Sequence, residues 1–373
     1  MKFKERVKHI WETYFTTASR VLLILFILAG MLHILVSLNA AVAERITVTL
    51  GNFMRQFMSL LTGFLPFSLG EILIILSPVA IGLIIFFGIK AFKNKVKLIR
   101  YTITVISVIS LFYTLYVPTL GVGYKRPTVG ARLDFPTVEV NSETLTNTYI
   151  TLKEECEKRL HKIEFTESGA SVSGKSVAEL SEAICRGYEA LNEEYPELNL
   201  GSFSSRGKPV LASRVMTALR ITGVYTYFTG EANVNVHFPD YSTPFTTAHE
   251  LAHQRGYSRE NEANFIAFMV CIRSGDPYVE YSGYISMLEY ISSALNKTDK
   301  DAYKSLYSTL DSRIKGEFKA YSEFYYANEN VLLGNLSNFI NDKYLKSQGT
   351  EGIVSYGLVV KLCVAYYNGE VGQ

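Results

Sequence analysis

Three long apolar runs constrain this chain more than any other feature of its sequence. They extend from Val21 to Ala43, from Ile72 to Ile89 and from Tyr101 to Gly123, and none contains Asp, Glu, Lys or Arg. A helix needs about 20 predominantly apolar residues to cross the hydrocarbon core of a bilayer. Soluble helices seldom lack charge over such lengths, so the runs predict three helices that span a lipid bilayer. We therefore expect residues 1–123 to form a membrane anchor and residues 124–373 to form a separate domain.

Neither a cleaved signal peptide nor a fourth span is expected in the anchor. The first run is too long for a signal peptide and begins only at Val21, so a retained span is the better interpretation. The segment from Gly51 to Leu69 is also apolar, but Gly63 and Pro66 interrupt it. Because this segment is too short to cross, it is predicted to be an interfacial or re-entrant piece.

The basic residues that flank the runs predict the orientation of the anchor. The connection between the first and second runs carries only Arg45 and Arg55. The N-terminal side of the first run and the link between the second and third are richer in basic residues: Lys2, Lys4, Arg6, Lys8 and Arg20, then Lys90, Lys93, Lys95, Lys97 and Arg100. Basic residues collect on the cytoplasmic side of membrane proteins. The N-terminus is therefore predicted to be cytoplasmic, and the domain after residue 123 to lie outside the cytoplasmic membrane.

Charge and cysteine content restrict the partners and the redox chemistry. The chain has 37 Lys and Arg against 35 Asp and Glu, so it lacks the basic excess typical of proteins that bind nucleic acid. No nucleic-acid partner is expected, and nothing in the sequence predicts an oligomeric state. The four cysteines are all in the predicted exported part and form no CxxC pair, which leaves both disulfides and free buried thiols open: Cys156, Cys185, Cys271 and Cys363.

The exported part has mostly helical patterns. Helices are predicted for Ser142–Ile163 and Ser176–Glu194, and again from Pro244 almost to the end of the chain. The segment from Val224 to His237 differs, because β-forming residues flank Gly230, and it predicts a hairpin. The expected fold class is mainly α, with three N-terminal transmembrane helices followed by an α+β domain that contains a small antiparallel sheet.

One motif carries a specific chemistry. His249 and His253 lie four positions apart in the string His-Glu-Leu-Ala-His, within a predicted helix. Residues at this spacing share a face of an α-helix, so both imidazoles can bind one Zn²⁺. Glu250 lies one step round the helix, where it can take a proton from a water on the metal without ligating the metal. This string is the pattern of helical zinc peptidases.

A catalytic zinc needs a third protein ligand, and two glutamates compete for that role. Gly256 is a candidate C-cap of the motif helix, and Ser258 a candidate N-cap of the next helix, which contains Glu260 and Glu262. These two side chains point about 200° apart, so both cannot face one metal. Glu260 shares its face with Asn264 and with small residues suited to close helix packing, so Glu260 is the preferred ligand. Asn264 is then expected to form a hydrogen bond with a ligand histidine.

The motif resembles that of the glutamate-type zincins, in which a second helix bears Glu-x-x-x-Asp. That resemblance implies that Glu260 binds zinc and that the residue four later, here Asn264 in place of Asp, orients a histidine. Gly256 also fits the metzincin string His-Glu-x-x-His-x-x-Gly. In that string the third histidine falls at Arg259, whose guanidinium cannot ligate zinc, so the metzincin assignment is rejected.

More of the chain resembles the bacterial membrane proteins grouped as domain of unknown function 3810. The resemblance is carried by the three spans, by HELAHQRGYSRENEANF, and by three further strings: Tyr227 to Asn233, Tyr344-Leu345-Lys346 and Ser355-Tyr356-Gly357. It implies a zinc peptidase of unknown substrate.

We therefore expect a membrane-anchored zinc metallopeptidase that hydrolyses an extended polypeptide or a cell-wall peptide amide. The alternative is a non-catalytic binding or assembly module with a structural or vestigial metal site. The hairpin segment from Phe228 to His237 offers an edge strand to an extended peptide. His237, Tyr344 and Tyr356 are candidates for stabilising the oxyanion, and the sequence does not choose among them.

Overall fold

The computed structural model describes residues 3–203 and 205–369. Its N-terminal third is entirely helical over the described part. Six helices follow one another there: α1 (Phe3–Tyr14), α2 (Thr17–Leu38), α3 (Ala40–Ile46), α4 (Asn52–Gly63), α5 (Leu69–Ala91) and α6 (Lys95–Thr119). A single turn of π-helix, Thr47–Gly51, joins α3 to α4.

Three of these helices are long and apolar enough to cross a membrane, namely α2, α5 and α6. At most 11% of the apolar window of any of them is buried inside the protein, so their surfaces suit a lipid environment. Helix α2 begins and ends earlier than the predicted span 21–43, and α6 is displaced in the same direction relative to 101–123. The reason is local, because Thr16 and Asn94 cap the starts of α2 and α6 with their side-chain oxygens.

The segment predicted to be interfacial contains helix α4, which packs against the domain that follows the anchor. Arg55 on one face of α4 is fully buried, whereas Phe53 and Phe57 on another face are exposed. The Gln56 side chain donates a hydrogen bond to the Ser202 carbonyl at 3.0 Å, and the Thr62 hydroxyl donates to the Thr229 carbonyl at 3.2 Å. The N-terminal helices and the rest of the chain therefore share an interface that begins well before residue 123.

The rest of the chain is mainly helical, with five short strands among the described residues. The helices are α7 (Val129–Arg132), α8 (Ser142–Arg159), α9 (Val177–Glu194), α10 (Ser213–Ala218), α11 (Ser242–Gln254), α12 (Glu260–Cys271), α13 (Pro277–Thr298), α14 (Lys300–Ser308), α15 (Ser312–Asn328), α16 (Val331–Ser347) and α17 (Val359–Asn368). The strands are β1 (Glu164–Phe165), β2 (Ser171–Val172), β3 (Lys208–Pro209), β4 (Gly223–Thr226) and β5 (Glu231–Val234). The predicted fold class, mainly α with a small sheet, is confirmed.

The predicted hairpin is present as β4 and β5, and it belongs to a three-stranded sheet in the order β3-β5-β4. Strands β4 and β5 pair antiparallel, with Val224 opposite Asn233, whereas β3 pairs with β5 in parallel. This order corrects one expectation. The segment from Phe228 to His237 contains the central strand β5, so the edge strands of the sheet are β3 and β4.

The hydrophobic core is assembled around α11 and α12. Phe265 and Phe268 on α12 are fully buried, and so are Leu251 on α11 and Tyr149 on α8. A continuous run of buried residues along both α11 and α12 leaves neither helix a solvated face. All four cysteines are free thiols: Cys156, Cys271 and Cys363, which are buried, and Cys185, which is partly buried. The sequence leaves both disulfides and free thiols open, and the structure shows free thiols.

Candidate metal centre

The two helices that carry the motif meet at a tight turn. Helix α11 ends at Gln254, and Gly256 follows with φ +89°, the left-handed conformation expected of a glycine C-cap. A Cβ at Gly256 would lie 2.8 Å from Thr47 Cγ2, so the turn also needs glycine for its contact with the π-helical turn Thr47–Gly51. Ser258 does not cap α12, because its hydroxyl donates to the Leu120 carbonyl at 2.6 Å and Arg259 occupies the N-cap position.

The turn brings one carboxylate to both motif histidines. Glu260 Oε2 lies 3.2 Å from His249 Nε2 and 3.5 Å from His253 Nε2. One potential ligand atom from each of these three residues lies within 4.8 Å of the other two, and this is the one such group among the described residues. All three side chains are nearly excluded from solvent, with exposed side-chain fractions of 9%, 9% and 11% for His249, His253 and Glu260. The group can therefore hold a metal ion in a largely dry environment.

The backbone fixes the orientation of one imidazole. His253 Nδ1 lies 2.6 Å from the Tyr257 carbonyl oxygen. A carbonyl only accepts hydrogen bonds, so Nδ1 carries a proton, and in the neutral imidazole the lone pair is on Nε2, which faces Glu260. This is the usual support of a metal-binding histidine. His249 Nδ1 is buried and has no hydrogen-bond partner among the described residues, so its tautomer is free to adjust to an ion.

The other candidate glutamate, Glu262, forms its hydrogen bonds away from the two histidines. Glu262 Oε1 accepts hydrogen bonds from the Val129 amide at 3.1 Å and from the Arg259 guanidinium at 3.0 Å. It thereby ties α12 to α7 and has no place in the histidine group. Of the two glutamates, the structure brings Glu260 to the histidines.

The charges of the group are strongly coupled. Burial disfavours the charged form of His253 and of Glu260, but their mutual attraction dominates. It raises the pKa of His253 to about 9 and holds the pKa of Glu260 well below its usual range. The polypeptide thus provides a buried carboxylate that needs a cationic partner, and a divalent ion bound to the two imidazole nitrogens supplies that charge equally well. Two imidazoles and one carboxylate are a donor set that zinc accepts.

Glu250 lies beside this group without joining it. The nearby Tyr225 backbone amide lowers the pKa of this carboxylate, whereas Oε2 is buried and has no hydrogen-bond partner among the described residues. Burial raises the pKa of Glu250, and the charges of His249 and His253 oppose that rise. A Cβ at Gly223 would lie 2.5 Å from Oε1, so strand β4 can pass this close to Glu250 only with glycine there.

These residues line a cleft of about 1040 Å³. Helices α11 and α12 form one wall of this cleft, and Leu336, Ile340 and Tyr344 of helix α16 form another. Gly223, Val224 and Tyr225 of the edge strand β4 also line it. The volume lies at the upper end of the range for small-molecule sites and is ample for a short peptide segment.

The remaining predicted residues lie in different places. The Asn264 amide donates to the Tyr290 hydroxyl at 3.2 Å, and neither ligand histidine forms a hydrogen bond with Asn264, so that expectation is wrong. Tyr344 lines the cleft and accepts a hydrogen bond from the Tyr124 hydroxyl at 3.3 Å. His237 bonds Thr217 at 3.2 Å and is absent from the cleft lining. The side chain of Tyr356 lies outside what the structure describes.

Sequence reasoning missed three residues that shape the cleft: Gly223, Glu289 and Tyr290. The chain has 26 glycines and 25 tyrosines, so residue type alone does not mark Gly223 or Tyr290 as part of a site. Glu289 and Tyr290 lie on α13, more than twenty residues after the motif, and only tertiary packing brings them to it. No pattern within the sequence signals that approach.

Together these features define a class: a chain with three apolar helices near its N-terminus and a mainly helical domain that carries a His-His-Glu group able to hold a metal. A family model described as protein of unknown function (DUF3810) matches residues 48–364, so the chain belongs to that family. The family resemblance inferred from the sequence is thereby confirmed. No curated protein and no solved structure matches the chain.

Proposed function

We propose that the protein is a membrane-anchored zinc metallopeptidase. The observation that carries this proposal is the convergence of His249 Nε2, His253 Nε2 and a Glu260 oxygen within 4.8 Å, beside a buried glutamate that ligates nothing. Three protein ligands with a fourth position left open are the usual arrangement of a catalytic zinc, whereas structural zinc sites are closed by four. No fourth His, Cys, Asp or Glu among the described residues joins the group, and Cys271 is not part of it.

The metal and Glu250 have separate roles in the proposed hydrolysis. A bound zinc ion supplies Lewis acidity, which polarises the scissile carbonyl and lowers the pKa of water towards neutrality. Glu250 accepts the proton of the attacking water on its unpartnered Oε2 and passes it to the leaving nitrogen. Because burial raises its pKa, the Glu250 carboxylate is a stronger base than an exposed glutamate. The nearby Tyr225 amide favours the charged form of this carboxylate.

Strand β4 supports an extended polypeptide as the substrate. The Asn235 amide donates to the Thr222 carbonyl at 2.8 Å, and hydrogen-bonded pairs alternate along an antiparallel ladder. The backbone groups of Val224 therefore face β5, and those of Gly223 and Tyr225 face away from it. A peptide that pairs with this free edge forms main-chain hydrogen bonds beside Glu250, with little dependence on its side chains.

The location of the site follows from the orientation of the anchor. Basic residues flank the N-terminal end of α2 and the α5–α6 connection, so both are proposed to lie in the cytoplasm. The domain and its cleft are then extracytoplasmic, where exported polypeptides and the peptide amides of the cell wall are both accessible. On the domain side, Tyr344 is the proposed oxyanion donor, because of the two candidates whose side chains the structure describes, His237 and Tyr344, it is the one that lines the cleft.

The test uses the full chain in lipid nanodiscs, supplied with zinc, an unbiased peptide mixture and cell-wall peptides. We expect the wild type to cleave, and Glu250→Gln to bind zinc equally well but cleave about 10²- to 10⁴-fold more slowly. Glu182→Gln, on the exposed surface of α9, is the matched control and should behave as the wild type. If Glu250→Gln cleaves as fast as the wild type, the mechanism is wrong. A zinc-loaded wild type that cleaves none of these substrates would favour the binding-module alternative.

A further inference from the structure

Helix α16 carries an apolar surface that the rest of the described protein leaves uncovered. Of its residues only Gly334 and Leu345 are buried. Leu332, Leu336 and Phe339 are 78%, 52% and 60% exposed, and their spacing places them on one stripe of the helix. Residues 331–341 contain no charged side chain, and the charges of α16 are confined to its C-terminal end. A surface of this kind is unusual on a soluble protein and marks a contact with another apolar phase.

The C-terminal end of α16 is attached to a membrane helix. The hydroxyl of Tyr116, in the last turn of α6, donates to the Gln348 side chain at 2.5 Å. Lys125, just beyond α6, donates to the Gln348 carbonyl at 3.0 Å. These contacts hold this end of α16 at the level where the third apolar helix ends.

The N-terminal end of α16 is attached, through α10, to the neighbouring membrane helix. Arg220 forms an ion pair with Glu329, just before α16, and its guanidinium packs against Gly334. Ahead of α10, the amides of Leu211 and Ala212 donate to the carboxylate of Glu71, in the first turn of α5. Helices α5 and α6 are joined by a short turn at their other ends, so the start of α5 and the end of α6 lie on the same side of the membrane.

Other uncovered apolar side chains surround the same ends of the spans. On α4, which precedes α5, Phe53 and Leu60 are 66% and 72% exposed, and Phe64 at its C-cap is 77% exposed. Leu211, beside the first turn of α5, is 84% exposed. Three separate elements thus present apolar surface at the level where the apolar helices leave the hydrocarbon core. One lipid interface covers all three, whereas a protein partner would need to match three unrelated shapes.

We propose that α16 lies in the lipid interface of the bilayer, on the side where the domain sits, and that the metal cleft opens onto that membrane surface. Leu336 and Ile340 belong both to the apolar surface and to the cleft wall, so lipid-facing and substrate-facing surfaces are continuous. Resting on the proposed peptidase function, this placement names the substrate class: a polypeptide segment presented at the membrane surface, tethered to or emerging from the bilayer.

The placement of α16 is tested without any use of metal or cleavage. Trp11 is the only tryptophan, so Trp11→Phe gives a silent background for the full chain in vesicles. In that background we expect Phe339→Trp and Leu332→Trp to be quenched by lipids brominated on the acyl chain, roughly twofold more than a control, since an interfacial helix reaches the acyl boundary. The control is Ile150→Trp, a partly exposed apolar site on α8. Two results would overturn the proposal. One is quenching by aqueous iodide. The other is protection from both quenchers that is seen only when more than one chain is present in each nanodisc.

The substrate class is tested with one peptide sequence in two forms, free in solution and tethered to lipid in the same nanodisc. Phe339→Glu, a residue outside the cleft lining, should slow cleavage of the tethered form and leave that of the free form unchanged. An equal loss for both forms would contradict the proposal. If neither form is cleaved by the wild type, the peptidase function has failed, and the quenching result still decides where α16 lies.

Discussion

The two walls of the metal cleft are held in place by different interactions, one by packing in the hydrophobic core and the other by polar contacts. Helices α11 and α12 lie within the hydrophobic core, and His249, Glu250 and His253 are each less than a tenth exposed. Helix α16, which also lines the cleft, has few buried residues and is held by polar contacts at its two ends. One wall is therefore fixed by packing before anything binds, and the other depends on its tethers and its surroundings. We expect metal affinity to depend on the first wall, and substrate binding and turnover to depend on the second.

Removing a histidine from the packed wall should have the largest effect. His253→Ala deletes one imidazole nitrogen and the hydrogen bond to Tyr257, so zinc affinity should fall by more than about 100-fold and cleavage should be lost. Added zinc should raise the melting temperature of the wild type and not that of the variant. His237→Ala removes a histidine outside the cleft and should retain zinc. Equal zinc-dependent stabilisation of wild type and His253→Ala would show that the metal binds elsewhere.

Changing the one tyrosine hydroxyl that the exposed wall contributes should have the next effect. Tyr344→Phe removes the proposed oxyanion donor, so kcat should fall by about 100-fold while zinc content stays constant. The matched control is Tyr326→Phe, an exposed residue of α15. A change in KM alone would indicate that Tyr344 contacts the ground-state substrate and has no special role in the transition state.

Loosening a tether of the exposed wall should cost less. Glu329→Gln removes the charge that holds Arg220, so the N-terminal end of α16 should shift and kcat/KM should fall on the order of 10-fold. Zinc content should not change, because α11 and α12 do not depend on this contact. Glu323→Gln, in an exposed ion pair on α15, is the control. If Glu329→Gln also loses zinc, the two walls are coupled and the comparison fails.

The smallest effect concerns a carboxyl that faces the cleft from α13. Burial raises the pKa of Glu289 to about 7, and its hydrogen bond from the Tyr241 hydroxyl only partly opposes this rise. The folded state therefore holds a proton that the unfolded chain releases near pH 4.5, and stability falls as pH rises through that interval. Glu289→Gln should be more stable than the wild type at pH 8, by about 1–2 kcal/mol after allowance for the solvent in the cleft.

That gain should vanish near pH 4, where the wild-type carboxyl is also neutral in both states. Thermal melting of both proteins across this pH range, in the same nanodiscs, measures the difference. A gain of equal size at every pH would show that Glu289 is neutral throughout and that packing alone changed.

Local patterns in the sequence were enough to predict the packed wall. The spacing of His249 and His253 and the glycine at position 256 are properties of a helix and its C-cap, so both could be predicted without tertiary structure. Ser258 was misjudged because its hydroxyl bonds the Leu120 carbonyl, which is remote in sequence. Asn264 was misjudged for the same reason, since Tyr290 on α13 takes its amide.

The exposed wall was beyond sequence reasoning. The helical pattern from Pro244 onward predicted that a helix exists at α16, but its place at the cleft depends on Arg220, just after α10, and on Tyr116 of α6, which are both remote in sequence. Likewise, a single hydrophobic pattern predicted the hairpin, whereas the identity of the edge strand depends on β3 pairing with β5 in parallel. Sequence periodicity carries no information on such long-range choices.

The most direct test of the account is the metal content of the purified full chain with its two competing glutamates changed one at a time. We predict one zinc ion per chain in the wild type and in Glu262→Gln, because Glu262 bonds the Val129 amide and Arg259. Glu260→Gln should lose the ion, because it removes the carboxylate that lies between the two imidazoles. A wild type without stoichiometric metal, or a Glu260→Gln variant that retains it, would contradict the account.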